Sequence, residues 1–243
     1  MSLATEPAPG SASSSPWPLV IATWNIHGAV GADGEYAPER VARVLQEINA
    51  DIVALQEVPL GGAHMANALD VLQDATGLAA ASAATCMISG RSYGNAILSR
   101  YPIRSTRAID ISFGSREPRG ALDADIECHA SMLRIIATHL GLRPAERRAQ
   151  IRKLLQVFDT EEMPVILMGD VNEWFMWGRP LRWLVSHFQA VPAPPTFPSR
   201  LPIFALDRIW IHPRHRLVSV QVHASALARL ASDHLPLVAH IDG

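Results

Sequence analysis

Four strand-length segments follow one another in the middle of the chain with no helical pattern between them: "YGNAILSRYPI", "RAIDISF", "GALDADIEC" and "SMLRIIATHLG". Each is short, and each is cut off by Gly, Pro or charged residues, as expected of consecutive antiparallel strands. On either side the pattern changes. "LVIATWNIHG" and "DIVALQEV" read as buried strands. Between them a helix opens at Pro38, with Val41, Val44, Leu45 and Ile48 on one face. A second helix is expected over about residues 64 to 76, before Gly77. Pro144 opens a third, with Ile151, Leu154, Leu155 and Phe158 on its buried side. "MPVILMGD" follows as a buried strand, "RPLRWLVSHF" as a shorter helix, and "LDRIWIHP", "RLVSVQVH" and "PLVAHI" as closing strands.

A purely parallel doubly wound sheet has no place for the antiparallel block. Two mixed sheets packed face to face with helices on the outer faces, an α/β chain in a four-layer α/β/β/α sandwich, accommodate both patterns. No Gly- or Ser-rich linker divides the chain, so residues 19–243 are expected to form one domain, long enough for a substantial core. Residues 1–18, "MSLATEPAPGSASSSPWP", read as a flexible tail. They lack the basic and apolar regions of a secretory signal.

The formal net charge is -2 and the pI about 6.5. A protein that grips nucleic acid without sequence preference is usually basic, so bulk nucleic acid is disfavoured, although a local basic cleft can act alone. Cys86 and Cys128 lie far apart and outside any CxxC, which argues against a disulfide framework or a thiolate zinc site. No apolar run approaches the roughly 18 residues that suggest a membrane span. A cytoplasmic location without an obligate protein partner is expected.

The chemical regularity lies at the strand ends. Apolar runs finish at Asn25, Glu57, His139, Asp170 and Asn172, while Asp207, Asp233 and His234 precede apolar runs. Taken singly, an Asn or Asp at such a place is ordinarily a turn residue, a Glu a solvated face and a His a structural hydrogen-bonding group. Together they form an oxygen-rich set on one sheet edge, a common home for active sites. HExxH, GxSxG and GxxxxGK[ST] are all absent, which removes three common hydrolytic signatures. Carboxylates and carboxamides suit Mg2+ or Mn2+. With two histidines as donors, they suit metal-assisted attack of water on a phosphate ester.

In order, "TWNIHG", "LQEV", "YGNAILSRYPI", "THLG", "GDVNEW", "LDRIW" and "SDHLPL" resemble the motif set of the endonuclease/exonuclease/phosphatase superfamily, metal-dependent phosphoesterases with a DNase I-like fold. The resemblance runs from about residue 20 to the C-terminus. It implies Glu57 as the principal metal ligand, with Asn25 and Asp233 around the same ion. It implies Asp170 as the water-orienting group, Asn172 beside it, and His139 and His234 as donors to the phosphate, His234 oriented by Asp207. That Asp–His contact should raise the His234 pKa. Asn95 and Arg119 match positions that bring polar groups near the substrate. His27 and Glu173 flank motif residues, but strand alternation can turn them away, and neither is assigned to the site.

The superfamily hosts apurinic endonucleases, deoxyribonucleases, deadenylases, sphingomyelinases and inositol-polyphosphate phosphatases, and the fold does not choose among them. Apurinic endonucleases carry Tyr where this chain has His139, so base-excision repair is disfavoured. A Mg2+-dependent phosphodiesterase on a small or lipid-derived ester is the leading expectation. A DNA or RNA nuclease comes second, and a catalytically silent binding relative third. Arg143, Arg147, Arg148, Arg152 and Lys153 cluster on the third helix, where a solvated outer face is expected; Arg214 and Arg216 form a smaller group. Trp174, Phe175 and Trp177 either wall the cleft or pack beneath the loop, with at least one expected in the core.

Overall fold

The computed structural model describes residues 18–62, 67–88, 90–129, 131–158 and 163–242. The expected tail, up to residue 17, and residues 64–66 of the expected second helix lie outside these. The chain runs through β1 (Pro18–Asn25), α1 (Pro38–Ile48), β2 (Ile52–Gly62), α2 (Ala68–Thr76), β3 (Ala79–Ile88), β4 (Arg91–Ser99), β5 (Ile103–Asp110) and β6 (Gly120–Cys128). It continues through β7 (Ser131–His139), α3 (Pro144–Leu155), β8 (Val165–Asp170), α4 (Arg179–Phe188), β9 (Asp207–His212), β10 (Leu217–Val222), α5 (Ala226–Ala231) and β11 (Leu237–Asp242).

Two sheets result. One has six strands in the order β10-β11-β1-β2-β4-β3, the other five in the order β5-β6-β7-β8-β9. Each contains one parallel pair, β1 with β2 and β7 with β8, among antiparallel neighbours, so both are mixed. The expected four-layer sandwich is what forms.

Three apolar clusters fill the three gaps between four layers. Ala22, Trp24, Leu55 and Leu98 pack with Val41, Leu45, Leu72 and Ala228 of α1, α2 and α5. Leu19, Ile21, Ile52 and Ile97 meet Ile135, Ile166, Met168 and Ile209 between the sheets. Ile136, Leu167 and Trp210 pack against Ile151, Leu154, Leu184 and Phe188 of α3 and α4. Each fully buried Leu or Ile contributes about 1.5–3 kcal/mol, so the strand alternation that assigns these residues to opposite faces is strongly enforced.

Two elements escape a periodicity argument. β3, "AAASAATCMI", is Ala-rich, largely uncovered and at a sheet edge, so it has neither apolar amplitude nor strand propensity to advertise it. α5 is only six residues long, started by the Ser225 hydroxyl accepting from the Ala228 N–H. Among the described residues no helix is long and apolar enough to cross a membrane.

Candidate active site

On β1, Leu19 and Ile21 face the other sheet while Ala22 and Trp24 face the helices. The same alternation puts the Asn25 side chain on the inter-sheet side. It repeats for His139 after Ile135 and Ala137, Asp170 after Ile166 and Met168, Asp207 before Ile209, and Asn95 before Ile97. Polar side chains in phase with the inter-sheet core thus close one end of the seam, where a cavity of about 600 Å3 opens. Asn25, Glu57, Asn95, Arg119, His139, Asp170, Asn172, Asp233 and His234 line it. Asp207 is wholly buried behind His234.

Glu57 arrives by a different device. Alternation would offer the cavity Gln56, which instead donates to the Thr23 hydroxyl at 3.2 Å. The register of β2 against β4 slips between Leu55 and Val58, and Glu57 sits at φ 56°. Such a bulge re-aims a side chain. Asn25 Nδ2 donates to Glu57 Oε1 at 3.0 Å and Asp170 Oδ2 at 3.2 Å, while its Oδ1 accepts from the His27 N–H at 3.0 Å. Asn25 therefore clamps the two carboxylates through its nitrogen.

Gly169 positions Asp170. At its φ of 147°, an added Cβ would lie 1.8 Å from the Thr138 carbonyl oxygen, so only glycine lets β8 lie this close to β7. Beyond Asp170 the chain turns sharply. The Asn172 N–H donates to Asp170 Oδ1 at 2.8 Å, and Asn172 takes φ 50°. Its Nδ2 donates to the Leu140 carbonyl at 2.9 Å and lies 3.0 Å from His139 Nε2.

Asp170 Oδ2 is 3.5 Å from His139 Nε2 and 3.7 Å from His234 Nε2. The two imidazoles differ in charge. Burial, then the Arg119 guanidinium and the charge on His234, hold the His139 pKa well below its ordinary value. Arg119 Nη1 lies 2.9 Å from His139 Nδ1. A guanidinium only donates, and so does the Asn172 Nδ2 amide at Nε2, so the two neighbours compete for the single acceptor nitrogen of the neutral ring. Burial also opposes charge on His234, but Asp207, 2.8 Å from Nδ1, and then Asp170 and Asp233 outweigh it and raise its pKa to about 10. Thr196 fixes Asp207 with a hydroxyl donation to Oδ2 at 2.5 Å. Burial raises Asp170 to about 7, with the His234 charge pulling the other way.

Asn95 spans the sheets, its Nδ2 donating to the Gly120 carbonyl at 2.8 Å. Among the described residues no three His, Cys, Asp or Glu side chains converge as a metal-holding group. Glu57 and Asp233 nevertheless face the cavity with no arginine or lysine partner among the described residues. Mg2+ commonly needs only one or two carboxylates and keeps several waters, so this donor set fits such an ion.

Glu173 points away from the cavity, to a buried pair with Arg147 at 3.1 Å, while His27 lines the cavity. The pair overturns the expectation of a wholly solvated helix face, because Arg147 is 1% exposed. Trp174, Phe175 and Trp177 are all exposed, against the expectation that one lies in the core. Trp174 alone has a partial seat, edge-on to Phe197 and Phe204 at 5.8 and 4.8 Å between ring centroids. Phe197, which no pattern marks, lies against the His234 ring at 4.8 Å.

The Endonuclease/Exonuclease/phosphatase family model matches residues 22–234. The uncharacterized protein YbhP of Escherichia coli (strain K12) is 30% identical to the chain, over 91% of this chain and 95% of the relative. A solved endonuclease/exonuclease/phosphatase from Beutenbergia cavernae superimposes with a TM-score of 0.76 at 22% identity, covering 93% of this chain and 71% of the other. The human nocturnin catalytic domain, solved with a bound sulfate anion, gives 0.71 at 19% identity over 93% and 95%.

Proposed function

Because the chain belongs to the endonuclease/exonuclease/phosphatase family, we propose that its cavity hydrolyses a phosphodiester by in-line attack of water, with Mg2+, or Mn2+ in its place, as cofactor. The observation that carries this reading is Asp170 set between a neutral and a charged imidazole. A carboxyl raised to about 7 by burial is poised to accept a proton near neutral pH. Two histidines of different charge can donate to phosphoryl oxygens from either side.

Glu57 and Asp233 would hold the metal, with Asn25 steadying Glu57 through its Nδ2 contact. When bound, the ion would supply Lewis-acid charge at the phosphoryl oxygens. Asp170, oriented by the Asn172 N–H, would align the attacking water and take its proton. His234, held charged by Asp207, would donate to a phosphoryl oxygen as negative charge grows there. His139 would donate from Nε2 in the tautomer whose Nδ1 accepts from Arg119. Arg119, paired with Glu117 at 3.3 Å, and Asn95 would border the substrate.

A small or lipid-derived ester is favoured over bulk nucleic acid. Leu142, Trp174, Phe197 and Leu206 give the cavity apolar lining, and the chain carries a net charge of -2. The nuclease reading draws on the same half-exposed Trp174, whose ring can stack a base. A panel of bis-p-nitrophenyl phosphate, phospholipids, plasmid and single-stranded oligonucleotide with Mg2+ or Mn2+ decides. Salt-sensitive cutting of nucleic acid with poor turnover of the others would reject the small-ester reading.

A further inference from the structure

We propose that the turn Trp174–Trp177, with Leu142 beside it, is a docking surface for an anionic lipid bilayer and holds the cavity mouth against the membrane. In naming where the substrate is met, this rests on the lipid-derived reading above.

Four consecutive large apolar side chains stand out of the fold here, with Phe175 68%, Met176 69% and Trp177 83% exposed and Trp174 39%. Leu142 on the neighbouring loop is 60% exposed. Isolated exposed apolar residues are ordinary, whereas contiguous ones mark an interaction site.

The turn is also held rigidly. The buried Arg147–Glu173 pair lies directly beneath it, and Arg147 Nη1 donates to the Leu142 carbonyl at 2.6 Å. Glu173 Oε1 accepts from the Phe175 N–H at 3.2 Å, and the Gly178 N–H donates to the Phe175 carbonyl at 2.9 Å. A Cβ on Gly178 would come within 2.4 Å of the Glu173 carboxyl carbon, so the turn is closed tightly on its anchor. One ion pair thus fixes both apolar loops and presents them together. Ordering them at a surface therefore costs little further conformational entropy.

Charge selects the partner. Residues 140–148, 173–182 and 196–204, which carry the turn and its neighbours, contain only two carboxylates, Glu146 and Glu173, and both are buried. Arg143, Arg179, Arg182 and Arg200 on the same segments are exposed. An apolar tip with exposed arginines and no exposed carboxylate on the segments that carry it suits the headgroup boundary of an anionic membrane. Aromatic rings with arginines would also suit a nucleic-acid strand. Met176 and Leu142, however, have no ring to stack on bases and gain by entering hydrocarbon. Leu142 and Trp174 also line the cavity that Asp170 enters, so a docked molecule would have its cavity opening at the lipid headgroups.

The test is flotation of the full chain with phosphatidylcholine vesicles, with and without phosphatidylglycerol. It compares the protein with the Phe175→Ser/Met176→Ser/Trp177→Ser variant, and both are assayed on soluble bis-p-nitrophenyl phosphate with Mg2+. Docking predicts flotation with phosphatidylglycerol vesicles that weakens with salt, a loss of partitioning of more than about tenfold in the variant, and equal turnover of the soluble ester. Absence of flotation while soluble turnover is intact would overturn docking and leave the hydrolytic reading standing. Undiminished flotation of the variant would also overturn it, as would binding of a single-stranded oligonucleotide, but not vesicles, through the same three residues. Variant-sensitive flotation without any soluble turnover would support docking while the hydrolytic reading failed.

Discussion

His234 Nδ1 lies 2.8 Å from Asp207 Oδ2, both groups are buried, and the carboxylate keeps the imidazole positively charged at the cavity wall. Asp207 does not line the cavity itself; it acts through the imidazole.

Asp207→Asn should therefore bring the His234 pKa down from about 10 toward its ordinary value of 6.5. The basic limb of the pH–rate profile should move down with it. The folded-state pKa is raised, so the stability contributed by His234 is fully present below the unfolded value and is lost as pH rises through about 10. In the variant that loss disappears. NMR titration of the histidines and denaturation curves at pH about 6 and about 10 would check both. A His234 that titrates alike in both proteins would contradict the account.

Asp170 has a linkage of the same sign, in a lower pH window. Its pKa is raised to about 7 chiefly by burial, so its ionisation costs stability as pH rises from the ordinary carboxylate range through 7. Asp170→Asn should remove that cost. The metal-free variant should match or exceed the parent's urea midpoint above neutral pH, while losing catalysis by about 10^2–10^4-fold.

Arg119 is expected to act on His139 by geometry as much as by charge. Arg119→Lys keeps a cation but loses the guanidinium donor fixed on Nδ1. It should lower kcat by about tenfold or more, and the 15N shifts of His139 should show a shift of the tautomer balance away from Nε2–H. Full activity in the lysine variant would assign Arg119 a charge role only.

Much of this was legible because alternation is enforced by burial. Asn25, His139, Asp170 and Asp207 share the phase of the inter-sheet core, so a reader of the strands also reads the edge on which they meet. Glu57 is legible as a strand end, but its aim is not. It depends on a slip in pairing with β4 that no local pattern encodes. Asn172 reaches the side expected of it through a tight turn at φ 50° rather than by strand alternation. The Arg147–Glu173 pair spans 26 positions, and nothing in either neighbourhood names the partner. Its carboxylate takes the buried place beneath the turn, and Trp174–Trp177 stand exposed above it.

Gly169 illustrates a constraint visible only in three dimensions. Gly169→Ala places a methyl carbon against the Thr138 carbonyl and should cost more than about 2 kcal/mol, displacing Asp170. Chemical denaturation would measure it. A neutral substitution would mean that β7 and β8 can separate without loss.

The central claim is metal-assisted hydrolysis of a phosphodiester by the Asp170 edge of the cavity. The most direct measurement is the rate on bis-p-nitrophenyl phosphate with Mg2+, for the protein, Glu57→Ala and Asp170→Asn, each with its fold confirmed by circular dichroism. The account predicts EDTA-sensitive turnover that falls by about 10^2-fold or more in both variants. Turnover undiminished in both folded variants would contradict it.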